Sequence, residues 1–230
     1  MLKTFPSLTS IKIAAFTALV GFAAASSAHA QLTTYNSLAS FQAAVPVTTL
    51  ENLEAGTPVI GVGLTAPLDA STNNAGFTPG QIAPGVRFNT EGSSPNEFYY
   101  NQNEFGPTKV LTTNHGPNSA NIILFNNDAT AVGFDLFDGG ASYTVTVFNL
   151  TGVQIDSPVI VQGSTAGTFI GFSVASDNIG RVNIATAGFE TFDNVRFTSN
   201  GVVAVPEPAS VVLISLGLLG CVGYRRFKKA

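Results

Sequence analysis

The residues able to do chemistry in this chain are mostly carboxylates. Of 14 acidic residues, all but Glu207 fall between positions 31 and 203, where only Arg87, Lys109, Arg181 and Arg196 oppose them. That span therefore carries an excess of nine negative charges, against −4 for the whole chain. Such a surface repels nucleic acid and anionic lipid. It suits divalent cations, which take carboxylate and carbonyl oxygens, and neutral partners such as sugars. Three carboxylate pairs lie close in sequence: Glu91 with Glu97, Glu97 with Glu104, and Asp135 with Asp138. Glycoside hydrolysis needs two carboxylates facing each other across a cleft. Spacing alone does not establish that, and 13 acids in one domain produce such pairs by chance.

Other catalytic chemistry finds little material. A serine or cysteine hydrolase needs a base beside its nucleophile. Beyond residue 30 the one histidine is His115, in the turn sequence Thr-Asn-His-Gly-Pro, with no Gly-x-Ser-x-Gly elbow to accompany it. The single cysteine, Cys221, lies in an apolar run near the C-terminus. A zinc site would want several His or Cys ligands, and no glycine loop cradles a phosphate. The reading is non-enzymatic, with a secreted hydrolase as the weakest alternative. Sugar binding requires aromatic platforms and amide groups. The polar stretch Phe98-Tyr99-Tyr100-Asn101-Gln102-Asn103 offers both, although the chain has no Trp. Phe98, Tyr99, Tyr100, Asn101 and Asn103 are therefore candidate sugar contacts in an expected loop. The bland alternative has the aromatics tucked into the core. Ice binding calls for a flat, regular Thr array. Thr33-Thr34, Thr48-Thr49 and Thr112-Thr113 are scattered.

The elements that must position these groups are strands. Asn36 or Ser37 can cap a short helix over 38–45, which Pro46 ends. After it, apolar and polar residues alternate over 47–51, 85–88, 109–112, 121–125, 131–137, 142–148, 159–162, 168–174, 179–184 and 191–197. Period-2 alternation broken by Gly, Asn and Pro marks an antiparallel all-β sandwich or barrel. Asp138-Gly139-Gly140 between two strong runs predicts a hairpin. Eighteen phenylalanines, largely at alternate positions, supply its core. Residues 56–84 and 89–107 read as two long polar excursions, which on a sandwich are functional loops or disordered. One domain, 31–200, is expected, followed by a linker over 201–205.

Both ends read as addressing segments. Residues 1–30 have Lys3 and Lys12, an apolar run over 13–25 and the small-x-small site Ala28-His29-Ala30, the pattern of a secretory signal. Near the other end stands Val205-Pro206-Glu207-Pro208-Ala209. Pro206 and Pro208 fix φ and exclude helix, giving an extended, pre-ordered peptide with one charge. Residues 209–224 carry no charge. As a helix they would span about 24 Å at about 1.5 Å per residue, close to the minimum for a membrane span. Arg225, Arg226, Lys228 and Lys229 follow as a stop-transfer cluster that stays in the cytoplasm.

Pro206, Glu207 and Pro208, the Leu/Gly-rich run behind them and the terminal cations together resemble the PEP-CTERM sorting signal of Gram-negative bacteria. That C-terminal domain is also named after ice-binding proteins that carry it. The resemblance covers only about the last 26 residues. It implies that exosortase, a membrane-embedded transpeptidase-like enzyme, reads the tripeptide and cuts the tail. It implies an exported protein, first anchored in the inner membrane, then at the cell surface or in the extracellular matrix. The middle of the chain resembles jelly-roll carbohydrate-binding-type modules through Thr49-Leu50-Glu51, Ala131-Val132-Gly133-Phe134-Asp135-Leu136 and Phe192-Asp193-Asn194-Val195-Arg196-Phe197. In such modules a structural calcium ties the first strand to the last, and the matching positions are Glu51, with Glu54 nearby, and Asp193. The jelly-roll likeness is one of fold and transfers no function; the alternative function, a carbohydrate-binding module acting on exopolysaccharide, rests on the stretch from Phe98 to Asn103.

Overall fold

The computed structural model describes residues 31–92, 95–102, 108–113, 119–125, 128–138 and 140–198. The expected signal segment and the whole tail lie outside the described residues, as do Asn103, Glu104 and His115. Among the described residues no helix is long and apolar enough to cross a membrane.

The chain begins with β1 (Leu32–Tyr35), α1 (Leu38–Ala44), β2 (Thr49–Glu51), β3 (Gly63–Thr65), β4 (Leu68–Asp69), β5 (Val86–Glu91) and β6 (Glu97–Gln102). It continues with β7 (Lys109–Thr113), β8 (Ser119–Leu124), β9 (Ala131–Leu136) and β10 (Ser142–Asn149). The series closes with β11 (Val159–Gln162), β12 (Thr168–Val174), β13 (Ile179–Ala185) and β14 (Thr191–Phe197). The strands form two antiparallel sheets. The first runs β1-β12-β9-β14-β7-β6-β3, with β2 also on β14; the second runs β11-β10-β13-β8-β5-β4. Their inner faces share one core, in which Phe88 of the second sheet meets Phe192 of the first at 5.5 Å between ring centroids. The all-β, two-sheet, sandwich-like class with one short helix is the class expected from the alternation.

The helix starts at Ser37, whose hydroxyl accepts the Ser40 N–H at 3.2 Å, the capping bond the sequence calls for. It lies over the first sheet, where Phe41 packs on Phe169 with centroids 5.5 Å apart. Gly171 makes that approach possible, because a Cβ there would stand 2.6 Å from the Phe41 ring.

Three expectations are corrected. The runs on either side of Asp138-Gly139-Gly140 are not a hairpin. β9 is flanked by β12 and β14, whereas β10 is flanked by β11 and β13. Both strands bury an apolar face, Val132, Phe134 and Leu136 on one and Tyr143, Val145 and Val147 on the other, and these faces meet across the core. The connection is a corner between sheets, with positive φ at Asp138 (75°) and Gly140 (113°). Second, residues 56–84 are not an idle excursion. They hold β3 and β4 and bury Leu64, Leu68, Phe77 and Ile82. Third, residues 97–102 are a strand inside the first sheet, paired with both β3 and β7, and not a loop.

Candidate functional site

The third correction decides what the aromatic stretch can touch. On β6 the side chains alternate between faces. Phe98 and Tyr100 point inward and are fully buried, so neither offers a platform to a ligand. Tyr100 stacks on Phe77 at 4.6 Å, and its hydroxyl donates to the Leu53 carbonyl. Tyr99 and Asn101 are half-buried on the other face.

The expected calcium residues lie in one region of the first sheet, around Tyr100. β14 has β7 beside its first half and β2 beside its second half. Where one neighbour gives way to the other, the strand bulges against β9 between Asp193 and Arg196. Asn194 takes a left-handed φ of 53° there, a conformation that Asn tolerates better than most residues. The bulge breaks the in–out alternation, and Asp193 becomes fully buried. The start of β7 and the loop after β2 close around it. Glu51, Glu54 and Asp193 all raise the pKa of the Tyr100 hydroxyl, after burial, the larger cause.

These three carboxylates have different states. Glu51 is buried and already occupied: one oxygen accepts the Leu53 N–H at 2.6 Å and the other the Ala83 N–H at 2.5 Å. Burial raises its pKa, and those two amides oppose the rise. Glu54 is half-exposed. It accepts the Lys109 N–H at 3.2 Å and stands 3.7 Å from the Lys109 ammonium. That ammonium also donates to the Glu54 and Gly56 carbonyls, at 2.6 and 2.9 Å. Asp193 has no hydrogen-bond partner on either oxygen, and the hydroxyl oxygen of Thr108 is buried and unpartnered too. Burial pushes Asp193 up to about 7. The nearby Asn194 amide and Thr108 hydroxyl oppose this without closing a bond, and the Glu54 and Asp135 carboxylates add to it.

In donor type this place fits a hard cation, through Asp193 and Thr108. In donor number it is short. Among the described residues no three acidic, His or Cys side chains stand close enough to hold a metal.

Glu190, which the sequence reading passed over, is a third buried acid, at the entrance to β14. The Thr113 hydroxyl donates to it, and so does the Thr186 N–H at 2.9 Å, while its own N–H donates to the Thr113 oxygen at 3.1 Å. Burial pushes its pKa up to about 7 against those donors. Its neighbours in sequence, Ala187 apart from polar Thr186 and Thr191 behind it, give no pattern that marks a buried carboxyl; only the pairing with β7 does so.

The depressions among the described residues include the following two. One, of about 490 Å³, lies between edge strands β3 and β4. Its polar groups are committed to turns: Asp69 holds Ser71 and Arg87, and the Asn74 oxygen accepts the Gly76 and Phe77 N–H groups, both at 2.9 Å. The other, of about 470 Å³, lies on the outer face of the second sheet around Phe148, Arg181 and Asn183. Of the carboxylate pairs close in sequence, Glu91 is on the second sheet and Glu97 on the first, and Glu104 lies outside the described residues.

Comparison with protein families matched residues 204–228 to the family described as PEP-CTERM protein-sorting motif. The chain carries a PEP-CTERM motif. The matched span takes in Pro206, Glu207, Pro208, Arg225, Arg226 and Lys228, with Lys229 one residue beyond it. A PEP-CTERM motif marks an exported protein addressed to exosortase and destined for the cell surface or the extracellular space. The match leaves the sandwich untouched, and the comparisons with curated proteins and with solved structures found no match.

Proposed function

We propose that this chain is a non-enzymatic β-sandwich protein of jelly-roll-like design, delivered to the cell surface or the extracellular polysaccharide matrix. In this reading residues 1–30 are removed during export, and residues 209–224 hold the precursor in the inner membrane. Arg225, Arg226, Lys228 and Lys229 stop transfer. Exosortase reads Pro206, Glu207 and Pro208 and cuts the tail. The observation that carries the reading is the order of parts within the PEP-CTERM match: a rigid tripeptide, an uncharged run, then cations. Replacing Pro206, Glu207 and Pro208 by alanine should leave a full-length, membrane-bound form. Processing of that variant at the wild-type rate sinks the reading.

A structural calcium at the Asp193 bulge belongs to the same proposal. Its support is the pair of unpartnered Asp193 oxygens beside the unpartnered Thr108 hydroxyl. Glu54 stands near enough to contribute charge. Glu51 holds the loop that carries Glu54 rather than the ion itself.

A further inference from the structure

The outer face of the second sheet breaks the rules of a passive solvent-facing surface. Register places Thr146 beside Asn183, Asn183 beside Asn121, and Asn121 beside Asn89, one on each of β10, β13, β8 and β5. The row crosses three strand spacings of about 4.8 Å, roughly 14 Å in all. Asn is depleted in strands. Three of them abreast in the middle of a six-stranded sheet contradict local preference, and such contradictions concentrate at functional sites.

The middle member shows where a ligand would act. The Asn121 oxygen accepts from Asn183 at 2.9 Å and from Arg181 at 3.4 Å, both on the β13 side. Two donors at that oxygen fix which way the amide faces. Its nitrogen is therefore turned away from β13. That nitrogen is buried without a hydrogen-bond partner, in a side chain only 1% exposed. Beside it runs the ion pair between Arg181 and Glu91 at 3.0 Å, which spans β8 from β13 to β5. Both partners are partly exposed, and an ion pair of that kind is cheap to open. Next to it the Phe148 ring lies under the Arg181 guanidinium, 4.2 Å from its carbon, at the rim of the depression.

We infer that this face binds a neutral polyhydroxylated chain, a glycan, laid across the Thr146–Asn183–Asn121–Asn89 row. Carboxamides and hydroxyls each donate and accept, which matches sugar hydroxyls group for group. When a ligand draws the Arg181–Glu91 pair aside, the Phe148 ring that the guanidinium covers becomes an apolar patch for a sugar face. The Arg181 charge is spent on Glu91, and the acidic domain disfavours polyanions. A ligand hydroxyl that displaces the Glu91 carboxylate gains the unsatisfied Asn121 N–H. Tail processing and this surface are independent, so failure of either leaves the other standing.

The test uses the full chain in detergent and an array of soluble neutral hexasaccharides (glucan, xylan, mannan and galactan) with one uronic acid hexasaccharide. At least one neutral chain should bind. Phe148→Ala should weaken it about tenfold or more, the scale of one well-placed contact. Thr33→Ala, on β1 of the other sheet, should bind as wild type does. If Phe148→Ala melts early, Thr146→Tyr blocks the row without removing a bond and should also abolish binding. The inference is overturned if no neutral chain binds at millimolar concentration, if only the uronic acid chain binds, or if the folded row variants bind as wild type does.

Discussion

Asp193 on β14 is the direct cross-strand partner of Asp135 on β9. Like charges set opposite each other in a sheet repel, and burial raises the pKa of both. The bulge resolves the conflict for one of them. Asn194 donates to the Asp135 carboxylate at 2.9 Å, and the Arg196 guanidinium also favours its charge. Asp193 receives neither and remains a buried acid without a partner.

That asymmetry makes calcium testable. Millimolar calcium should raise the melting temperature of the wild-type chain relative to chelator, because a ligand that binds only the folded state stabilises it by mass action. The Asp193→Asn variant should lose this response. It should also be more stable than wild type in chelator at pH 8, by about 1 kcal/mol, since it removes an unpaired buried charge. Identical wild-type melts in calcium and in chelator eliminate the metal.

Glu190 sets a pH dependence of definite sign. Its folded pKa is raised, to about 7. Between the unfolded value, near 4.3, and the folded one the native state binds the extra proton, so stability falls as pH rises through that window. Below it the penalty is absent; above it the penalty is complete. Denaturant unfolding of wild type should therefore show stability lost between about pH 4.5 and 7.5, by at most about 4 kcal/mol from this group. Glu190→Gln should make the profile shallower and leave the slope that Asp193, also raised to about 7, contributes over the same window. An equally steep profile in the variant assigns the dependence to another group.

Glu51 is a pin for the loops it accepts from. Glu51→Ala leaves the Leu53 and Ala83 N–H groups buried without acceptors, at a cost of about 2–4 kcal/mol for the two. Glu51→Gln keeps one acceptor oxygen and should cost about half as much. Urea midpoints of the three proteins give the comparison. Equal midpoints would mean that the two N–H groups find other partners, contrary to the geometry.

Much of this protein was legible in one dimension. Strands β11, β12 and β14 fall on the expected residues to the last position, because a half-buried strand writes its two faces into the sequence with period two. The Ser37 cap and the PEP-CTERM segment are equally local, the first a single hydroxyl at a helix start and the second a contiguous peptide. What stayed hidden depends on partners distant in sequence. The hairpin expected at 138–140 failed because β9 and β10 each found better neighbours elsewhere, and alternation is silent about which strand lies beside which. Residues 97–102 looked like a loop because Glu, Asn and Gln dilute the pattern, yet Phe98 and Tyr100 are anchored in the core. The isolation of Asp193 arises where β7 hands over to β2, and the amide row gathers Asn89, Asn121 and Asn183 from three strands. Sequence determined the address and the alternation; pairing in three dimensions decided which polar groups meet and which are left without a partner.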